Sequence, residues 1–162
     1  MRAIWAAGLV LSGFLSVGAA ESTGADAMKA PIGELGTYLS NARFKLQRGV
    51  AGMGGSGGGG GYSIKDCCAI NVERMRSALD TLAKERAELQ RDYERSRNVE
   101  GVAKLEPLTT SLNAFEEGYK LLLAAKKPEE AMTILDGLLK SHNAMTAAHK
   151  DLVAATTAPA EK

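Results

Sequence analysis

Along most of this chain apolar residues recur at alternating spacings of three and four, the period of one face of an α-helix. Over residues 63–97, Ile64, Cys68, Met75, Leu79, Leu82, Leu89 and Tyr93 share one stripe. Over 102–126, Leu105, Leu108, Leu112, Phe115, Tyr119 and Leu122 follow the same rhythm, and over 128–155 the stripe is Ala131, Leu135, Leu138, His142, Met145, His149 and Leu152. A shorter segment, 31–48, carries Ile32, Leu35, Leu39, Ala42 and Leu46, with Gly33 and Gly36 weakening it as a helix. Nowhere does polarity alternate with period two, so no sheet is expected.

Stripes this long must be buried, and the links between them are as short as "RNVEG" and "AKKPEE". Short links make successive helices antiparallel neighbours. The pattern therefore predicts an all-α, up-and-down antiparallel bundle of three long helices and a shorter N-terminal one. Punctuation agrees with it. Ser63 and Asp66 have the spacing of a capping box, and Pro128 followed by Glu129 and Glu130 suits the opening turn of the last helix. Counting outward from the turns near Glu100 and Lys127 puts Arg86 level with His142 and Tyr93 level with His149. We therefore expect a polar core layer of Arg86 and His142, relieved by Glu116, and a second in which the Tyr93 hydroxyl meets the His149 ring.

The segment before the first stripe changes the picture. Residues 1–20 carry Arg2, an apolar run and then Gly18, Ala19 and Ala20, the order of a signal peptide cleaved after Ala20. Gly8, Ser12, Gly13 and Ser16 interrupt the run, which argues against a retained membrane anchor. The expected location is periplasmic or secreted. Cleavage takes Arg2 from the 20 Lys and Arg, leaving 19 against 19 Asp and Glu. A balanced surface lacks the basic patch of nucleic-acid and anionic-lipid binders. About 140 residues remain, enough for one core spanning 31–156, with 21–30 and 157–162 read as disordered ends. Trp5 and Phe14 leave with the signal, so the larger core anchors are Tyr38, Phe44, Tyr93, Phe115 and Tyr119.

Residues 49–62 form a glycine-rich loop running into Cys67 and Cys68. A phosphate loop needs a preceding strand and a Lys-Ser or Lys-Thr opening the helix, and neither is here. The tract reads as a flexible tether between the first helix and the other three. Shortening it by four or five residues should change stability by less than about 1 kcal/mol, because loop-closure cost grows only logarithmically with length. A chemical denaturation curve checks this. Adjacent helical residues point about 100° apart, so a vicinal Cys67–Cys68 bridge would distort the backbone. Cys68 reads as a small core residue, while Cys67, on the flank of the stripe, is placed for an intermolecular bridge and hence a homodimer. Metal binding or redox use of Cys67 and Cys68 is the sharper alternative, favoured by the helix start and opposed by Asp66.

His142 and His149 lie roughly 40° and 20° from Leu138, near the middle of an apolar face. Seven residues rise about 10.5 Å, which rules out a shared mononuclear site on a regular helix. Each reads first as a hydrogen-bonded core or boundary histidine. A histidine near the end of the last helix of an exported four-helix bundle resembles the way cytochrome c-prime and the soluble b-type four-helix cytochromes hold haem, and the tail "MTAAHKDL" is similar to that of the former, with Met145 and Ala148 where its haem-bonding cysteines would stand. That resemblance implies His149 as an axial haem ligand. No paired carboxylates stand on a stripe and no HExxH occurs, so no catalytic set is apparent. The sequence thus points to an exported, non-enzymatic bundle acting through protein or peptide binding, with a haem- or copper-binding bundle using His149 or the Cys67–Cys68 pair as the alternative.

Overall fold

The computed structural model describes residues 24–52 and 62–157. Residues 1–23, on which the expected signal peptide falls, 53–61 of the glycine-rich tract and 158–162 lie outside them. Four helices form: α1 (Lys29–Gly52), α2 (Ile64–Arg95), α3 (Val99–Ala124) and α4 (Pro128–Thr157). No strand occurs among the described residues. The helices pack in a ring, α1 on α2, α2 on α3, α3 on α4 and α4 back on α1. Contacts between the ends show the alternation of direction. The Cys68 Sγ lies 3.6 Å from the Ala42 oxygen, and the Tyr119 hydroxyl donates to the Val72 oxygen at 2.9 Å. Burial pushes the Tyr119 hydroxyl above its usual pKa, which keeps it in the protonated form that donates.

Local chemistry sets the boundaries. At the start of α2 the capping box forms as the sequence predicts: Lys65 N donates to Ser63 Oγ at 3.3 Å and Ser63 N to Asp66 Oδ2 at 3.1 Å. The α2–α3 turn is tighter than the sequence reading allowed. Arg97 takes φ 57°, and Asn98 caps α3 by accepting from Gly101 N at 2.8 Å. α3 therefore starts at Val99 rather than 102. Pro107 sits inside it and cannot donate to the Ala103 carbonyl; both residues are exposed, so that acceptor is not buried. At α4, Glu130 reaches back to accept from Lys126 N at 3.0 Å, tying the incoming link to the first turn.

The stripes become the core. Leu35, Leu39, Leu82, Leu108, Phe115, Leu122 and Leu135 are fully buried. Phe44 departs from expectation: it is 53 % exposed, with the Arg48 guanidinium 4.6 Å from its ring centroid. It lies two positions from Ala42, off the stripe. Tyr38 is half-buried beneath Arg74.

The chain before α1 was read as disordered, yet 24–27 form a helical turn and Ala25 and Met28 are completely buried. Only Ala25 and Met28 of this stretch are apolar and inward, too few for a periodic signal. Pro31 explains why turn and helix are separate: it has no N–H for the Ala27 carbonyl four residues earlier. Residues 49–52, assigned to the flexible loop, instead complete α1.

The two polar layers do not form. Because the helices are arranged in a ring, α2 and α4 are diagonal rather than adjacent. Arg86 binds Gln90 on its own helix, Nη1 to Oε1 at 2.6 Å, while both histidines turn to α1 and the turn before it. Tyr93 packs instead against Gly101, across the α2–α3 turn.

Candidate functional site

Two regions hold the residues singled out by the sequence. One is the seam between α4 and α1. His142 Nε2 lies 2.9 Å from the Ile32 oxygen, and His149 Nε2 lies 2.8 Å from the Ala25 oxygen. A carbonyl only accepts, so Nε2 carries a proton in both rings. The spacing of seven on α4 matches that between Ala25 and Ile32, two turns on each side of an antiparallel pair. Gly36 makes the seam possible. A Cβ there would stand 2.7 Å from His142 Cε1 and 2.8 Å from Nε2, so any larger residue forces the ring or the helices to shift. This residue, read from sequence as a weakness in the helix, is a seat for the histidine. The seam continues to an Arg43–Asp136 ion pair at 2.7 Å, half-exposed on both sides.

Beside the histidines lies a groove of about 440 Å³, floored by Ile32, Gly33 and Val153, with Lys29, Lys150 and Asp26 at its edge. His149 is 8 % exposed. A haem or copper ion bound at Nε2 would have to displace the Ala25 carbonyl, and no group of three or more His, Cys, Asp or Glu is gathered for a metal among the described residues. The seam as built suits a hydrogen-bonded histidine better than a ligating one.

The second region is the opposite end of the bundle, where α2 begins. Cys67 and Cys68 are joined to each other in a vicinal disulfide, so neither is free for an intermolecular bridge. The backbone accommodates the bond by leaving helical geometry at Cys68, φ −137° and ψ 19°, which sets the first turn of α2 off from the rest. The distortion anticipated from the sequence is real, and its place in the first turn of α2 limits how much of the helix it disturbs. In this state the sulfurs are not thiolates and offer a soft metal no anionic ligand.

Around the pair are groups that sequence reasoning passed over. Asn71, one turn further along α2, is 6 % exposed and its Nδ2 has no hydrogen-bond partner among the described residues. The Tyr62 hydroxyl is similarly buried and unpartnered. Burial, then the nearby charges of Asp66 and Glu129, push its pKa up. A buried asparagine on a helix face was the available signal. It falls between Cys68 and Met75 and was not weighed because it breaks the apolar pattern.

The same end exposes apolar surface. Ile70 is 63 % exposed and Leu121 60 %, with Phe44 and Leu123 also uncovered. Ile70 is two residues from both Cys68 and Val72, Phe44 two from Ala42, and Leu121 two from Tyr119. Each is thus level with the helix contacts at this end. None of the described helices is long and apolar enough to cross a membrane. No protein-family model, curated protein or solved structure matches this chain.

Proposed function

We propose that this is an exported, non-enzymatic helical bundle that acts through protein or peptide contacts, docking its partner on the end where α2 begins. The observation that carries the reading is the exposure of Phe44, Ile70, Leu121 and Leu123, large apolar side chains on three helices in the half of the bundle where α2 begins. Exposed apolar side chains at one level of a small bundle give a partner apolar contacts to make. The chain's own link offers them little cover: residues 53–61 contain Met53, Ser56 and otherwise glycine. A partner segment with an apolar stripe of its own supplies what the surface lacks.

The test is site-specific photo-crosslinking of the full chain in its native cell, with the probe at position 70, 121 or 99. Val99 is 80 % exposed at the other end of the bundle and serves as the control. We expect one defined product with a different protein from 70 and 121, none from 99, and at least a tenfold fall, about 1.4 kcal/mol, when Phe44→Glu is added. Equal labelling from all three positions would remove the docking site. Products containing only copies of this chain would replace the partner with self-association.

A further inference from the structure

We propose that the Cys67–Cys68 disulfide is a reversible two-electron redox site, reduced by exchange with a dithiol and reoxidised without loss of the fold. The inference is independent of what docks nearby.

A disulfide stabilises a fold chiefly by closing a loop in the unfolded chain, and the effect grows with loop length. Neighbouring residues enclose almost no chain, so this bond restrains the unfolded state hardly at all. Its presence is not explained by stability. The four helices also pack through contacts that do not involve it, since the core runs from Ala25 to Leu152.

Both oxidation states have a place in the structure. In the disulfide neither sulfur has a proton to donate. Yet Cys67 Sγ lies 3.4 Å from the Ile64 oxygen and Cys68 Sγ 3.6 Å from the Ala42 oxygen. Each carbonyl is already within reach of the S–H that reduction would create. The backbone supplies the other half of a two-state element. Cys68 is non-helical while bonded to its neighbour, φ −137° and ψ 19°, between stretches of regular helix. Reduction allows the first turn of α2 to rejoin the helix behind the Ser63 cap.

The reaction balances as ordinary exchange. A thiolate of the incoming dithiol attacks Cys67 Sγ, the half-buried sulfur, because Cys68 is 1 % exposed. The S–S bond breaks and its electron pair goes to Cys68 Sγ, which takes a proton from solvent and donates it toward Ala42 O. The second thiol of the reductant then attacks its own sulfur in the mixed disulfide. Cys67 leaves as a thiolate, and the reductant departs as a disulfide. Asn71 is a positioning residue in this scheme. Its buried Nδ2 has two N–H groups and no described acceptor, and a thiolate one turn away is the acceptor that suits it.

The experiment is a redox titration of the full chain in graded mixtures of reduced and oxidised dithiothreitol, with free thiols trapped by a maleimide and counted by mass. Amide exchange of residues 64–71 is followed in parallel. We expect no trapped thiol in protein isolated without reductant, one two-electron transition to two trapped thiols, and slower amide exchange in the reduced form. Asn71→Leu should shift the equilibrium about tenfold toward the disulfide, a midpoint roughly 30 mV more negative. Two thiols trapped before any reductant is added, reduction only on unfolding, or disulfide-linked dimers would each overturn the site. An unchanged midpoint in a folded Asn71→Leu variant would remove Asn71 from it.

Discussion

Valine in place of Gly36 should lower the stability of the bundle by about 3 kcal/mol, while alanine should cost about 1. The added Cβ meets the His142 ring at 2.7 Å, closer than carbon atoms approach. The ring cannot simply swing aside, because its Nε2 is held at 2.9 Å by the Ile32 carbonyl one turn back on α1. Either the helices part, at the roughly 1–3 kcal/mol typical of overpacking, or the ring leaves a half-buried site and forfeits its hydrogen bond. Against this stands the gain in helix propensity from glycine to alanine, about 0.8–1.0 kcal/mol. Valine adds two more carbons and gains less propensity. Removing the ring decides between these terms: in a His142→Ala background, Gly36→Ala should become stabilising by up to about 1 kcal/mol. Urea denaturation of the four chains measures the cycle. The same sign in both backgrounds would show that the glycine is not there for the histidine.

His149→Ala should cost about 3 kcal/mol and free the turn at 24–27. The substitution leaves a cavity under a nearly buried position, and it removes the imidazole donor from the Ala25 carbonyl. Large-to-small changes in cores run to about 2–5 kcal/mol, and the lost imidazole hydrogen bond adds about 0.5–1.5, since the Ala25 carbonyl keeps the Met28 N–H at 3.3 Å. The sum falls short of both maxima because the turn can undock and let water reach the carbonyl. Undocking is itself measurable. Amide exchange should accelerate from 24 to about 30, where Ala25 and Met28 now lie fully buried, and remain slow in α3. Glutamine at 149 can offer its amide nitrogen near the position of Nε2 and should recover about half the loss. A cost below about 1 kcal/mol with unchanged exchange at the turn would mean that Met28 alone holds the segment down.

Both effects depend on a seam whose residues were visible in the sequence but whose pairing was not. His142 and His149 were placed on the inward stripe of the last helix, where one is half-buried and the other buried. Counting from the turns yields height along a bundle and nothing about which helices are diagonal. A ring of four antiparallel helices has two neighbours and one diagonal for every member, and the stripes are equally buried in either arrangement. Ala25 could not be nominated as a partner, since its contribution is a backbone oxygen in the turn before α1, which no side-chain pattern marks. Asn71 was hidden for a related reason. A single polar residue inside an apolar stripe carries meaning only once its surroundings are known.

The cysteines show the same division. Adjacency, the helix start and the distortion that a bridge would impose follow from residue order alone. Whether the distortion is tolerated depends on the neighbours of that first turn. There the Ala42 carbonyl stands against Cys68 and the cap at Ser63 holds the turn in place. By itself, then, the sequence determined four helices, their buried faces and their alternation of direction, because periodicity, caps and short links act within a few residues of themselves. The tertiary structure alone decided the ring order, the partners of His142 and His149, the seat at Gly36 and the state of Cys67 and Cys68. Each of these is a contact between residues distant in the chain, or a local geometry that such contacts permit.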